Sequence, residues 1–186
     1  MHLSAQADET IKRSLDAVTS NPGSGIPGLV FVSVDRNGKT LAAHASGKRA
    51  PSSDDPMTLD TVFWIASCTK MLTALASMQL VEQGKLSLDD PKQVYKLCPE
   101  LEKVKVLQDG QLVARKGDIT LRMLLTHTAG FAYEFFRKDL TAHGRAGGAG
   151  VIGAGFDVFS GDERDITSQP LVNQPGTAWE YGVSAS

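Results

Sequence analysis

Phe63-Trp64-Ile65-Ala66-Ser67-Cys68-Thr69-Lys70-Met71-Leu72 joins an apolar run to the first turn of a helical pattern, with a serine at the junction. Residues three apart share one face of a helix, so Ser67 and Lys70 fall one turn apart with hydroxyl and amine able to meet. A serine hydroxyl is too weak an acid to attack an ester or amide at neutral pH unless a neighbour takes its proton. A lysine can do so when desolvation or nearby charge leaves it partly neutral. A helix start also turns backbone N–H groups and the positive end of the helix dipole towards a developing oxyanion. With 15 serines and 11 lysines in the chain, about one Ser-x-x-Lys is expected by chance, and this is the only one. The bland alternative is a helix N-cap beside a solvated lysine, and the rest of the chain decides between them.

Working outward, Val62-Phe63-Trp64-Ile65 predicts a segment entering a core, and the helix from Ser67 carries Met71, Leu72, Leu75, Ala76, Met78 and Val81 before Gly84 stops it. Apolar residues on more than one face predict a centrally buried helix. Cys68 points off the Ser67/Lys70 face and reads as a core thiol. Upstream, Ile11, Leu15 and Val18 at helical spacing predict an amphipathic helix over residues 8–20, closed by Asn21-Pro22-Gly23. Residues 29–34 and 40–45 flank Asn37-Gly38 and predict a β-hairpin. Residues 47–61 are polar and Pro-containing and predict a surface crossing.

Downstream, Asp90-Pro91 reads as N-cap and first position of a short helix ending by Pro99. Val104-Lys105-Val106 and Leu112-Val113-Ala114 flank Asp109-Gly110 as a second hairpin. Thr120 caps a helix over Leu121–His127 that stops at Ala129-Gly130. Gly148-Ala149-Gly150-Val151-Ile152-Gly153 matches G-x-G-x-x-G, but Lys138–Gly144 enters it without a β pattern and residues 154–167 leave it without a convincing helix. A dinucleotide site needs both, so the run is read as a loop.

Composition sets the outer bounds. A chain of 186 residues, 41% apolar, has enough apolar surface for a real core. Net charge −2 and a pI near 6.1 leave no basic footprint for nucleic acid or membrane, so a small molecule is the expected partner. Cys68 and Cys98 are too few for a disulfide framework and lack metal-site spacing with the four histidines, so both are expected to be reduced thiols. The N-terminus has no apolar stretch of a signal peptide, and no run is long enough to span a bilayer. A cytoplasmic protein is the expectation.

Four ordered blocks then carry a resemblance. Thr61–Lys70, Leu86–Pro91, Ile119–Phe131 and Pro175-Gly176-Thr177-Ala178-Trp179-Glu180-Tyr181 together resemble the serine β-lactamase and penicillin-binding-protein superfamily. The likeness is strongest to its class C β-lactamase, family VIII esterase and fungal acyltransferase branch. Ordered blocks spanning about residues 25–186 are far more specific than any one of them. The resemblance implies an α/β (α+β) fold of the β-lactamase/transpeptidase type, in which Ser67 is the nucleophile, Lys70 its proton partner and Tyr181 the general acid/base. A tyrosine of pKa about 10 needs a cation beside it to act so at neutral pH, and Lys70 is the obvious one. His127 falls in a block that looks structural, with no second ligand near it in sequence. No metal and no organic cofactor is implied.

Two departures qualify the resemblance. The lactamase pattern at the tyrosine is Tyr-x-Asn, and here the third position is Val183, which tilts the reading towards esterase or acyltransferase. Family members also continue beyond the tyrosine with strands of the central antiparallel sheet, a C-terminal helix and a Lys-Thr-Gly-like strand that donates one oxyanion-hole N–H. Losing one such donor costs about 2.7–4 kcal/mol of transition-state stabilisation. The expectation is therefore a single partial domain, 1–66 from the α/β half and 67–186 from the helical half, either a fragment of a longer chain or one completed by a partner. The expected function is acyl transfer through a Ser67 ester on small ester, amide or lactam substrates, to water or to an alcohol. The rival is a truncated, non-catalytic remnant that binds a ligand or partner. Oligomeric state is left open.

Overall fold

The computed structural model describes residues 3–21, 23, 25–146 and 162–185. The chain divides into two compact units, Met1–Trp64 and Ile65–Ser186.

In the first unit, α1 (Ala5–Ser20) begins at Ser4, whose hydroxyl accepts the Ala7 N–H at 3.2 Å, with Asp8 in the first turn favouring the positive helix end. The hairpin follows as β1 (Gly28–Val34) and β2 (Thr40–Gly47), antiparallel with Gly28 opposite Gly47 and Phe31 opposite His44. Asp35 shapes its turn: the carboxylate accepts the N–H of Asn37 at 2.8 Å and of Lys39 at 3.0 Å. The hairpin is not isolated, because α1 lies along β2. Asp16 on the helix accepts hydrogen bonds from His44 Nε2 at 2.7 Å and Ser46 Oγ at 2.6 Å on the strand. Those two bonds, Ser46 first, hold the Asp16 carboxyl below its ordinary range. Residues 48–56 return as turns closed by a Lys48–Pro56 bridge.

The second unit opens with a 3₁₀ turn (Ala66–Cys68) that runs straight into α2 (Thr69–Glu82), which ends at Gly84 with φ +69°. Next come α3 (Pro91–Leu97), a 3₁₀ turn (Pro99–Glu102), β3 (Val106–Gln108) and β4 (Gln111–Val113). After these follow α4 (Leu121–Leu125), a 3₁₀ turn (Glu134–Phe136), α5 (Lys138–Ala146), α6 (Glu163–Thr167) and a closing turn (Val183–Ala185). Asp90 and Thr120 cap α3 and α4 as expected, accepting from Lys92 N–H at 3.0 Å and Met123 N–H at 3.2 Å.

The second hairpin sits two residues later than expected on its first strand. Asp109 and Gly110 take φ of +51° and +77°, a two-residue turn that pairs Gln108 directly with Gln111. The short α6 corrects the expectation of no helix before residue 167. Gly148–Gly153, the dinucleotide-like run, lies outside the described residues.

The core of this unit gathers Val94, Leu101, Val106, Ile119, Phe131, Leu171 and Val183, all at most 8% exposed. Residues 129–133 thread through it. The Gly130 carbonyl accepts the Val172 N–H at 2.8 Å, and fully buried Gln169 donates through Nε2 to the Ala132 carbonyl at 2.6 Å. The segment leading into Tyr133 is thereby fixed at two points by residues 169–172.

Three burial expectations are corrected. Val62 and Trp64 are 94% and 83% exposed, and Ile65 is exposed as well. Helix α2 has no buried residue, with Met71 70% and Leu75 58% exposed. Cys68, read as a core thiol, is exposed. An apolar pattern signals only that a surface favours cover. Both cysteines are free; burial, then the Glu100 carboxylate, pushes the Cys98 thiol up.

Candidate active site

The junction before α2 presents the serine. Ala66 takes φ +44°, unfavourable for a residue with a Cβ, and turns the chain abruptly into the 3₁₀ turn. Ser67 stands exposed in that turn, and Lys70, the second residue of α2, is half-buried one turn on. The Ser67 hydroxyl makes no hydrogen bond among the described residues. The lysine amine instead donates to the Tyr133 hydroxyl at 2.9 Å.

Two aromatic rings flank that amine. Lys70 Nζ lies 5.5 Å from the ring centroids of both Tyr133 and Tyr181, within cation–π range. The two tyrosine rings are 5.6 Å apart. Lys70 and Tyr181, singled out from sequence, are thus brought together, and Ser67 enters through the turn that begins the same helix. Tyr133, only 8% exposed, is the member that sequence reasoning missed. Its sole sequence signal is an aromatic residue just after the Ala129-Gly130 stop, 63 positions from Lys70.

The Tyr181 loop is held by its neighbours. The His127 carbonyl accepts the Glu180 N–H at 2.9 Å, and His127 Nδ1 accepts the Gly182 N–H in a long 3.4 Å bond. The His127 ring lies 4.7 Å from that of Tyr181. Gly182 must lack a side chain: a Cβ there would meet Phe131 O and Ala132 Cα at 2.6 Å, both backbone atoms. The Glu180 carboxylate pairs with Arg137 at 3.0 Å, and Arg137 also grips Asp139 at 2.6 Å in the first turn of α5. The Tyr181 loop is thus tied to the segment following Tyr133. Val183, which stands where the lactamase pattern has asparagine, is 2% exposed and belongs to the core.

Burial, and then the Lys70 charge, push the His127 imidazole below its ordinary value of 6.5, so it is neutral at pH 7. Among the described residues no cluster of His, Cys, Asp and Glu is suited to hold a metal ion. The arrangement sets an exposed hydroxyl one helical turn from an amine that a phenol flanks, residue types that acyl transfer uses.

Comparison with known proteins agrees with this chemistry. Residues 8–186 match the family described as Beta-lactamase. Acyltransferase mokF of Monascus pilosus is 34% identical over 173 residues, covering 86% of this chain and 39% of that protein. Esterase EstB of Burkholderia gladioli is 36% identical over 155 residues, covering 81% and 36%. Unliganded simvastatin synthase (LovD) of Aspergillus terreus superposes with a TM-score of 0.74 at 30% identity, over 98% of this chain and 47% of that one. D-amino acid amidase of Ochrobactrum anthropi, at 22% identity and a TM-score of 0.61, shares the fold. The chain spans about two fifths of the length of the curated relatives it matches. Its fold, its ordered motifs and its relatives agree: the chain belongs to the β-lactamase family, in the serine β-lactamase superfamily.

Proposed function

We propose that this chain carries the acyl-transfer site of a serine esterase or acyltransferase, with Ser67 as nucleophile. The observation that supports it most is the Lys70 amine, hydrogen-bonded to Tyr133 and set against the Tyr181 ring, one turn from an exposed Ser67. Ser67 Oγ attacks the substrate carbonyl while its proton passes to the Lys70/Tyr181 pair. The C=O π pair moves onto oxygen, and the N-terminal end of α2 faces that negative charge. Collapse re-forms the carbonyl, breaks the bond to the leaving alcohol and returns it the proton from Tyr181. Water or an acceptor alcohol then attacks the Ser67 ester by the same steps in reverse. Tyr133 keeps the lysine amine in place throughout.

Val183 favours an ester over a lactam. An asparagine here would supply an amide able to hold a lactam or peptide carbonyl, whereas the valine is absorbed by the core. The named acyltransferases and esterase among the relatives point the same way. A small ester is therefore the proposed substrate class.

Intact mass spectrometry after incubation with a p-nitrophenyl ester or a fluorophosphonate tests this. One adduct, mapped to Ser67 and absent from Ser67→Ala, is expected. A chain that is folded by circular dichroism yet stays unlabelled would overturn the reading in favour of a non-catalytic binding role.

A further inference from the structure

Resting on the reading of Tyr181 as the acid/base, we propose that His127 is its positioning residue, gripping the tyrosine loop through an uncharged imidazole and releasing it on acidification. Three contacts converge on the residues around one side chain. The His127 carbonyl holds Glu180 N–H, its Nδ1 holds Gly182 N–H, and its ring packs on Tyr181 between them. Bonds to the residues on either side leave the tyrosine little room to pivot.

The backbone of His127 is shaped for this. It takes φ +58°, a left-handed conformation uncommon outside glycine that histidine, like asparagine and aspartate, adopts more readily than other side chains. Where α4 ends, that conformation turns both the carbonyl and the ring of one residue to the same loop. A residue chosen only to end a helix would be glycine or asparagine. The imidazole adds what those residues lack, a ring that packs on Tyr181.

Only the neutral ring can do this. Nδ1 accepts a hydrogen bond while unprotonated; in the imidazolium both ring nitrogens are donors, and Nδ1–H would oppose Gly182 N–H. The titratable groups facing the ring are Lys70 from α2 and Tyr181 from the loop, with the uncharged Trp179 ring edge-on at 6.4 Å. The nearby Glu180 carboxylate is directed to Arg137, so its negative charge is already paired. A second positive charge on His127 would stand against Lys70. Burial and that lysine already hold the imidazole below 6.5. Protonation therefore comes below 6.5 and breaks the grip when it does.

Two readouts on the full chain test this, one of them independent of catalysis. In NMR, the His127 imidazole is expected to titrate below 6.5, and the Tyr181 ring resonances to follow with the same midpoint. His127→Asn places an amide oxygen near the Nδ1 position and tolerates the left-handed backbone; it should hold Tyr181 at its neutral-pH shift throughout. His127→Phe keeps an aromatic ring without the acceptor and should leave the tyrosine signals displaced at every pH. In acylation, His127→Phe should lower the rate about ten- to a hundredfold with little change in substrate half-saturation. His127→Asn should keep most of the rate and lose the acid limb assigned to His127. Tyr181 signals that ignore the His127 titration, or an Asn variant that behaves like Phe, would overturn the inference. An absence of Ser67 labelling at any pH would count against the functional reading alone, and the NMR result would still decide the role of His127.

Discussion

Lys70 is a long, flexible side chain whose usefulness depends on where its amine is held. Tyr133, itself only 8% exposed, accepts from it through Oη at 2.9 Å, so the bond is partly shielded from competing water. Tyr133→Phe removes the acceptor and leaves the ring. Such a loss is expected to cost about 1 kcal/mol in urea unfolding and to slow Ser67 acylation about tenfold through misplacement of the amine. His127 carries a pH dependence of a definite sign. Its folded value lies below the ordinary 6.5, so the unfolded chain binds the extra proton more readily. The stabilisation is fully present above 6.5 and is lost as pH falls through the lower folded value. Comparing urea midpoints of the parent chain and His127→Asn across pH 5–8 isolates it, and the gap between them should narrow or reverse on acidification. Of these residues, Lys70 and Tyr181 were legible in the sequence because they lie in ordered motifs. Tyr133 was not, because a buried tyrosine in an apolar run looks the same whether its hydroxyl meets a lysine or a loop carbonyl.

At the scale of elements, the short-range signals were accurate where a backbone hydrogen bond enforced them. Asp90 and Thr120 cap the helices they were read to cap, because a side-chain oxygen two or three residues ahead of an unpaired N–H satisfies it in any context. The Asp109-Gly110 turn was also legible, though its strands shifted, since a two-residue turn dictates that the adjoining residues pair. The turn at Ala66 was not foreseen, as alanine carries no signal for a left-handed backbone. Its strain gives a direct check. Ala66→Gly is expected to be at least as stable as the parent, whereas Ala66→Val, β-branched at φ +44°, should lose about 1–3 kcal/mol in urea unfolding. Local rules thus located these caps and turns, and the turn at Ala66, beside the candidate site, escaped them.

Across the whole chain, the largest disagreement concerns what is covered. Helix α2 reads as a buried helix, and its apolar side chains are exposed, as are Phe135, Phe136 and Trp179 near the candidate site. Exposed apolar surface on this scale binds hydrophobic dyes. The chain is expected to enhance the fluorescence of anilinonaphthalene sulfonate, and Met71→Lys with Leu75→Lys should reduce that signal without loss of helical circular dichroism. No helix of the described residues is long and apolar enough to cross a membrane. By itself the sequence determined the family, the first helix, the two hairpin turns and the capped starts of α3 and α4, and it set Ser67 and Lys70 one turn apart. Those depend on neighbours within a few residues or on motifs kept in order. Tertiary structure alone decided that Tyr133 holds the lysine, that His127 brackets Tyr181, that Val183 serves the core and that α2 stands uncovered. Each of these depends on side chains distant in sequence meeting, or failing to meet, across space, and no local pattern encodes which of them will.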